Sequence, residues 1–359
     1  MAVNPFVPDI ADLSHEQLKK RLGVSRIIKL SMNENPLGPS HKAIAAMEKA
    51  LRNLNHYSDC EGNELREKIC AKLGVDRDQV ILTNGADEMI FLAANAFIEP
   101  GDEVVIPFPT FGSYFWASAL AGARIVQVPL RDFCIDTTAL LSALSDKTRL
   151  IFLCNPNNPT GTIIRRHELE YFLDHVNKRI VVVLDEAYVD YVVSEDYVSG
   201  VELLEKYPNL LVIRTFSKIH SLAAARVGYG VGCADTISVL NRCRLPFNVN
   251  YVGQMGAAAS IDDIEHLERS KRLNNDGKRY LEQQLQRLGC FTVPSETNFL
   301  LVDTGVDARV LAERLLQKGI VVRPGDGYKL PTFMRVSIGL PEDCCFFVEV
   351  LEEALSSLR

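Results

Sequence analysis

The stretch "IVVVLDEAY", residues 180–188, carries the pattern that decides the fold. Its first five residues are apolar and mostly β-branched, which favours a strand buried on both faces of a sheet. The run then ends in a cluster of polar side chains, Asp185, Glu186 and Tyr188. We therefore predict a central strand over 180–185 with chemistry-bearing residues at its carboxyl end.

Five further apolar runs of similar length alternate with helical patterns up to residue 215. They lie at residues 79–83, 102–107, 123–129, 149–153 and 210–215. Buried strands separated by helices are typical of a mostly parallel sheet that helices cover on both faces. We therefore predict an α/β fold whose large domain is built on such a mixed, mostly parallel sheet.

Helical patterns flank this region, and the chain ends in a smaller unit. Residues 40–54 begin with a serine cap and residues 63–74 end at a glycine, as helices do. A helical stretch over 235–288 is followed by short apolar runs, including 297–303, 320–324 and 334–339, and by two helices. These predict a compact α+β unit. The predicted parts are an N-terminal segment (1–30) packing with the small domain, a large domain (31–285) and a small C-terminal domain (286–359).

Composition excludes several classes of protein. The 359 residues carry a formal net charge of −7, which argues against a nucleic acid or an anionic membrane as partner. No apolar run is long enough to span a bilayer, and we expect no secretory signal. The nine cysteines are scattered without a CxxC pair, which indicates reduced thiols and a cytoplasmic protein. "HELEY" at 167–171 lacks the second histidine of a zinc helix, so we expect no metal.

The polar residues that follow two of the strands suit a phosphate group. "NGADE" opens a helix, so the backbone N–H groups of Gly85, Ala86 and Asp87 can point at an anion. In "RTFSKIHSLAAARVGY", residues 214–229, two hydroxyls and a cation surround a lysine. These residues are Thr215, Ser217, Arg226 and the lysine itself, Lys218. Hydroxyl and guanidinium groups are phosphate donors, so the two stretches together predict a phosphate site.

A second group of residues suits a flat, charged ring. Asp185 ends an apolar strand, where an unpaired carboxylate is costly, so it needs a cationic partner such as a protonated pyridine nitrogen. Asn158 and Tyr188 can hydrogen-bond a ring oxygen, and Phe111 can stack on the ring. A phosphate, a pyridinium, a phenolic oxygen and a lysine that forms a Schiff base together describe pyridoxal 5′-phosphate (PLP).

The glycine-rich run "GYGVG", residues 228–232, offers a competing interpretation. It begins like a dinucleotide-binding fingerprint, but Cys233 stands where the last spaced glycine should be, and no acidic ribose partner is evident. We therefore interpret these glycines as a tight turn or a strand near the cofactor.

The chain also shows the motifs of a known family in that family's order. They are "NENPLGPS", "NGADE", "FLCNPNNPTGT", "DEAY", "RTFSK", "LAAARVGY", "PFNVN", "TNFLLV", "VVRPG" and "MRVSIG". With these motifs the sequence resembles the fold-type I PLP-dependent aminotransferases, above all the histidinol-phosphate aminotransferase family, from about residue 5 to the C-terminus. The resemblance implies the PLP-dependent transferase fold type I.

The resemblance also implies a role for each residue of the constellation. Lys218 would form the Schiff base with the cofactor and move a proton between the substrate Cα and the cofactor. Asp185 would hold the pyridinium, while Asn158 and Tyr188 would tune the ring oxygen. The cofactor phosphate would be bound by Gly85, Ala86, Thr215, Ser217 and Arg226.

Three further residues take roles from the resemblance alone. Tyr57 matches a tyrosine that reaches the phosphate in the neighbouring subunit, which implies a homodimer with shared sites. Arg335 matches the arginine that receives the substrate's carboxylate or phosphate, and Arg323 would assist it.

The sequence departs from the family pattern in three places. Phe6 stands where the family usually has a tyrosine that contacts the substrate's phosphate, which weakens the case for a phosphorylated substrate and favours an aromatic one. "IHSLAAAR" replaces the familiar residues after Lys218, and we expect His220 to lie at the surface or to support the site indirectly. Phe111 replaces the commoner stacking tyrosine and keeps the aromatic face.

These observations predict an aminotransferase that moves an amino group from L-histidinol phosphate to 2-oxoglutarate by a ping-pong route. An aromatic amino-acid aminotransferase is a close alternative, because the two families overlap in motifs. A decarboxylase of O-phosphorylated amino acids and a PLP-binding protein without turnover are weaker alternatives. A few pocket residues decide the donor, so the sequence leaves it open.

Overall fold

The computed structural model describes residues 26–359 together with Glu16, Lys19, Lys20 and Gly23. Its strands are β1 (Ile28–Lys29), β2 (Val80–Thr83), β3 (Glu103–Phe108), β4 (Arg124–Pro129), β5 (Thr148–Cys154), β6 (Val181–Asp185), β7 (Leu210–Thr215), β8 (Gly228–Gly232), β9 (Phe291–Thr292), β10 (Phe299–Asp303), β11 (Ile320–Val321), β12 (Arg323–Pro324) and β13 (Phe333–Ser337). The six predicted strands of the large domain all form, each within one residue of its predicted bounds.

Seven of these strands make one sheet in the order β2-β8-β7-β6-β5-β3-β4. Neighbours are parallel from β7 to β4, whereas β8 runs antiparallel to both β2 and β7. The predicted mixed, mostly parallel sheet is therefore confirmed. The glycine-rich run 228–232 is a strand inside this sheet rather than a turn.

Helices cover both faces of the large sheet and flank the smaller one. The α-helices are α1 (His41–Ala50), α2 (Asn63–Leu73), α3 (Gly85–Phe97), α4 (Ser113–Leu120), α5 (Thr137–Ser142), α6 (Arg166–His175), α7 (Ala234–Cys243), α8 (Tyr251–Ile261), α9 (Ile264–Arg287), α10 (Ala308–Gln317) and α11 (Pro341–Leu358). Single 3₁₀ turns span Leu51–Asn53, Arg77–Gln79, Val189–Tyr191, Gly200–Leu203, Ala223–Ala225 and Asp326–Tyr328. Of the helices in this part of the chain, none is both long and apolar enough to cross a membrane.

Side chains alternate between two cores because successive residues of a strand point to opposite faces of the sheet. In β6, Val182 faces a core shared with α2 and α6, whereas Val183 faces the core under α3, α4 and α7. Both valines are fully buried. This explains why the run reads as continuously apolar in the sequence.

The ends of the first two helices follow their capping signals. The side chain of Ser40 accepts a hydrogen bond from the N–H of Ala43 at 3.1 Å, and Gly74 ends α2 in the left-handed conformation with φ +68°. The predicted helix over 40–54 is shorter than expected, because α1 ends at Ala50 and continues as a 3₁₀ turn.

A third core belongs to a smaller unit near the C-terminus. Its antiparallel sheet has the order β12-β13-β10-β9, and β1 pairs in parallel with β11 beside it. The run 320–324 thus divides between two sheets, β11 in one and β12 in the other. Ile28 packs in this core, as do Leu281 and Leu285 from the end of α9. We propose the same three-part division as the sequence suggests, with the last turns of α9 contributing to the small domain's core.

Candidate active site

Neighbouring parallel strands deliver polar residues to one edge of the large sheet. Asp185 is the last residue of β6, Thr215 is the last residue of β7, and Asn158 follows the end of β5. Because these strands are parallel, their carboxyl ends meet at the same edge. Lys218 lies in the loop that leaves β7, so the structure brings these four predicted residues into one region.

The N-terminus of α3 and a glycine of β8 form the floor of an anion cradle. Gly85 begins α3 with φ +78°, and the N–H groups of this first turn, including that of Ala86, have no acceptor within the helix. A Cβ on Gly228 would lie 2.6 Å from the carbonyl carbon of Gly85. A Cβ on Gly85 would in turn lie 2.5 Å from Nη2 of Arg226. Only glycines allow this close approach of helix, strand and guanidinium.

Arg226 and two hydroxyls form the wall of the cradle. Arg226 has φ +54°, and its guanidinium donates to Oδ2 of Asp87 at 3.2 Å and to the carbonyl of Ala223 at 3.0 Å. The hydroxyl of Thr215 donates to that of Ser217 at 2.9 Å. Nη1 of Arg226 lies 3.5 Å from the Ser217 hydroxyl. A fixed cation, two hydroxyls and free helix N–H groups therefore converge, a donor set that suits a phosphate.

Asp185 is a buried carboxylate held by neutral donors. The hydroxyl of Tyr114 donates to its Oδ2 at 2.8 Å, and the N–H of Ala187 donates to its Oδ1 at 3.0 Å. Burial raises the pKa of Asp185 to about 6, and these two hydrogen bonds oppose the rise. Among residues 26–359 no lysine or arginine forms an ion pair with it. Asp185 is therefore suited to a cation brought by a ligand.

Tyr188 is hydrogen-bonded to two asparagines beside this carboxylate. Its hydroxyl accepts from Nδ2 of Asn33 at 2.9 Å and lies 3.4 Å from Nδ2 of Asn158. Burial raises the pKa of Tyr188 well above its ordinary value, so the phenol keeps its proton. Asn33 has φ +56°, and its N–H donates to the Ser337 hydroxyl at 2.8 Å. Sequence reasoning quoted the motif of Asn33, "NENPLGPS", without giving this residue a role.

Lys218 is half-buried beside the ring of Tyr188. Its Nζ donates to the carbonyl of Met32 at 3.1 Å and lies 5.6 Å from the centre of the Tyr188 ring. Burial, assisted by the positive charge of Arg335, lowers the pKa of Lys218 to about 8. Near neutral pH a larger fraction of this amine is therefore neutral than of an ordinary lysine, and nucleophilic attack and proton transfer both require the neutral form.

Arg335 is a buried cation that points toward the same region. Nη1 donates to Oδ1 of Asn158 at 2.6 Å, and Nη2 donates to the carbonyl of Ser31 at 2.5 Å. Its Nε is buried without a partner among the described residues. Two neutral acceptors therefore orient the guanidinium, and its charge remains available for an anion.

Arg323 and Tyr57 lie further out than the residues around Lys218. Arg323 is exposed on β12, directly opposite Arg335 in the register with β13. Tyr57 is 86% exposed, and its ring stacks against Phe247 with centres 4.7 Å apart. Phe6 lies outside the described residues.

The structure also places Phe111 and His220 near the site. Phe111 is partly buried and meets the ring of Tyr114 edge to face, with centres 5.6 Å apart. His220 is buried rather than at the surface. Its Nδ1 lies 3.0 Å from the hydroxyl of Ser260, and burial lowers its pKa to about 4, so the ring is neutral. His220 thus joins the loop of Lys218 to α8.

Comparison with known proteins places this site in a family. The model of the aminotransferase class I and II family matches residues 25–351. A histidinol-phosphate aminotransferase of Moorella thermoacetica is 43% identical over 99% of this chain and 92% of its own length. Histidinol-phosphate aminotransferase 2 of Carboxydothermus hydrogenoformans is 39% identical over 99% of this chain and 98% of its own length.

A solved structure agrees with these sequence matches. The histidinol-phosphate aminotransferase of Sinorhizobium meliloti, crystallised in complex with pyridoxal-5′-phosphate, superposes with a TM-score of 0.92 at 26% identity. The match covers 99% of this chain and 98% of that one. The predicted fold class is therefore confirmed. The chain belongs to the aminotransferase class I and II family and, within it, to the histidinol-phosphate aminotransferase family.

Proposed function

We propose that this enzyme uses PLP to transfer the amino group of L-histidinol phosphate to 2-oxoglutarate. The observation that carries the proposal is the position of Lys218. This amine, whose pKa is lowered to about 8, lies in the same region as an anion cradle, a buried carboxylate and a buried arginine. Among the described residues, the carboxylate has no cationic partner and Nε of the arginine has no acceptor. The names of the relatives at 43% and 39% identity support the phosphorylated donor.

The residues present fit PLP at each of its polar groups. The N–H groups at Gly85 and Ala86, with Thr215, Ser217 and Arg226, would bind the phosphate. Asp185 would bind the ring nitrogen as a cation, and Tyr188 and Asn158 would bind the ring oxygen. When bound, PLP supplies an electron sink for the bonding pair released at the substrate's α carbon.

The protein's own contribution to the chemistry centres on Lys218. Its amine, with a pKa of about 8, is a nucleophile at neutral pH and can accept a proton from the substrate's α carbon before donating it again. Nζ donates to the Met32 carbonyl, and this hydrogen bond orients the free amine. Burial, assisted by the positive charge of Arg335, disfavours the protonated form of the amine.

Arg335 would receive the anionic end of each substrate in turn. Each terminal nitrogen gives one of its two N–H groups to Asn158 or Ser31. The second N–H of each, and the Nε–H that has no partner among the described residues, are left for a carboxylate or phosphate. Arg323, opposite it in the register, adds a second positive charge at the mouth of the site. A pair of fixed guanidinium groups suits both a phosphate and a dicarboxylic acid.

We propose further that two copies of the chain share their active sites. Tyr57 is exposed and lies among other exposed apolar side chains on the surface that would form the interface. These side chains are Leu51, Leu54, Leu245 and Phe247. Tyr57 packs against Phe247, and Leu51, Leu54 and Leu245 lie within six residues of one or the other in the sequence. Exposed apolar side chains grouped in this way favour an interface between subunits. Tyr57 would cross that interface and reach the phosphate in the partner's cradle.

The donor is tested by a titration without an acceptor. Protein saturated with PLP is mixed with L-histidinol phosphate or with L-phenylalanine, and loss of the visible absorption band is recorded. We expect histidinol phosphate to act at far lower concentration. A preference for phenylalanine would instead establish the aromatic aminotransferase and give weight to Phe6. The K218A variant should lose both the band and the reaction, whereas K178A, which alters a lysine packed on Tyr207, should lose neither.

The shared site is tested by mixing two inactive variants. Y57A subunits keep Lys218, and K218A subunits keep Tyr57. If Tyr57 serves the neighbouring site, hybrid dimers contain one complete site, and activity should return on mixing. If Tyr57 serves its own site, no hybrid is complete, and activity should stay at the level of the separate variants.

A further inference from the structure

Tyr114 is a fully buried tyrosine whose hydroxyl is directed at a single carboxylate. It lies on α4, its relative exposure is 0%, and its Oη donates to Oδ2 of Asp185 at 2.8 Å. Sequence reasoning gave this residue no role, because a tyrosine within the apolar run "SYFWASAL" looks like an ordinary core residue. A buried phenol, however, needs an acceptor, and here the acceptor belongs to the active site.

The ring of Tyr114 is held on two sides. It stacks on Phe152 with centres 4.8 Å apart and planes at 6°, and it meets Phe111 edge to face. Phe111 lies two residues before the start of α4 and three before Tyr114, so the predicted stacking residue and the tyrosine approach the site together. With the ring fixed in this way, the hydroxyl has little freedom to leave the carboxylate.

The other groups around Asp185 make this hydrogen bond important. Cys154 is its register partner on β5, Asp87 lies on α3, and Glu186 follows it in the chain. Each of the two acidic neighbours raises the pKa of Asp185, whereas the bonds from Tyr114 and Ala187 lower it. Tyr114 is therefore the principal side chain that favours the charged form of the carboxylate.

We propose that Tyr114 is a positioning residue that fixes the Asp185 carboxylate, in its charged form, toward the ring nitrogen of the cofactor. This inference rests on the proposed function. A fixed carboxylate pairs more strongly with a cation than a mobile one, because the cost of ordering it is met by the fold. The phenol also acts without adding a charge that would compete with the ligand.

The test compares Y114F with a matched variant, Y207F. Tyr207 is also buried and also donates to an aspartate, Asp174, at 2.8 Å, but that pair lies on α6 and the loop before β7, outside the cradle. The apparent Kd for PLP is measured for both variants and for the unaltered protein. A hydrogen bond to a charged group corresponds to about tenfold or more in affinity. We expect Y114F to weaken PLP binding by about tenfold and Y207F to leave it unchanged.

A second ligand separates positioning from general damage. In the carbocyclic analogue of PLP, carbon replaces the ring nitrogen, so no cation faces Asp185. We expect Y114F to weaken binding of PLP much more than binding of this analogue. Equal weakening of both ligands would assign the loss to packing and overturn the proposal, as would an unchanged Kd for PLP in Y114F. If the unaltered protein fails to bind PLP, the proposed function itself is wrong.

Discussion

Replacing Arg214 by methionine should lower the free energy of unfolding by several kcal/mol, because it leaves a buried negative charge without a cationic partner. The side chain of Glu186 is wholly buried and accepts from Nε and Nη2 of Arg214 at 3.0 and 2.8 Å. It also accepts from the hydroxyls of Tyr197 and Ser199, both at 3.1 Å, and from the N–H of Gly200 at 2.6 Å. The R214M variant would leave the three neutral donors and remove the only ion-pair partner that the described residues give Glu186.

The magnitude follows from this arrangement. Breaking a buried ion pair by removing one partner costs about 3–5 kcal/mol, and the remaining donors place Glu186 near the lower end, at about 3 kcal/mol. At about 2.1 cal/mol/K per residue, the 359 residues unfold with an entropy near 0.75 kcal/mol/K. A loss of about 3 kcal/mol should therefore lower Tm by about 4 °C.

The assay is urea and thermal unfolding of three variants beside the unaltered protein. R214M/E186Q also removes the unpaired negative charge, so it should recover at least half of the lost free energy of unfolding. R179M removes an arginine from an exposed pair with Asp146 and should change stability by less than about 0.5 kcal/mol. If R214M is as stable as R179M, or if the double variant is no more stable than R214M, then the unpaired charge of Glu186 is not the cause of the loss, and the reasoning is wrong.

Three further experiments test the backbone at Ser221, the pKa of Lys218 and the glycine contact in the anion cradle. Ser221 adopts φ +58°, and its buried hydroxyl has no partner in the part of the chain that the structure describes, so S221G should raise the free energy of unfolding in urea by about 1 kcal/mol. In protein freed of PLP, acylation of Lys218, followed by mass spectrometry, should reach half its maximal rate near pH 8 rather than the 10.5 of an ordinary lysine, because only the neutral amine reacts. G228A should weaken phosphate binding in calorimetry by forcing Gly85 aside, whereas G232A, whose Cβ would lie 3.4 Å from its nearest neighbour, should not.

The sequence predicts most strands of the large sheet well, because strands buried on both faces appear as continuous apolar runs. Runs such as 180–184 and 210–213 are apolar at every position, whereas an amphipathic helix carries polar residues on its exposed face. The sequence predicted β8 less clearly, because its three glycines have low β-propensity and are also typical of a turn. These glycines are required by tertiary packing rather than by the strand itself. Gly228 lets β8 pass close to Gly85, a contact between segments far apart in sequence that no local pattern reveals.

The site was predictable where it lies at strand ends and unpredictable where it depends on packing. Asp185 stood out because it is charged at the end of an apolar run. Asn33 lies between elements without any strand pattern, and Tyr114 lies in an apolar helix, so neither carries a local signal of function. His220 was expected at the surface or in an indirect role. The structure buries it because Phe216 and α8 cover it, which its polarity alone does not suggest.

Asp185 and Glu186 show why residue type alone does not separate function from structure. They are adjacent acids at the end of one strand, and both are almost completely buried. Glu186 has a guanidinium and three neutral donors, so its charge is satisfied within the fold. Among the described residues Asp185 has only a phenol and a backbone N–H as donors, so its charge is suited to a cation that a ligand brings. We infer that the same criterion separates Arg214, which is paired with Glu186, from Arg335, whose Nε has no partner among the described residues.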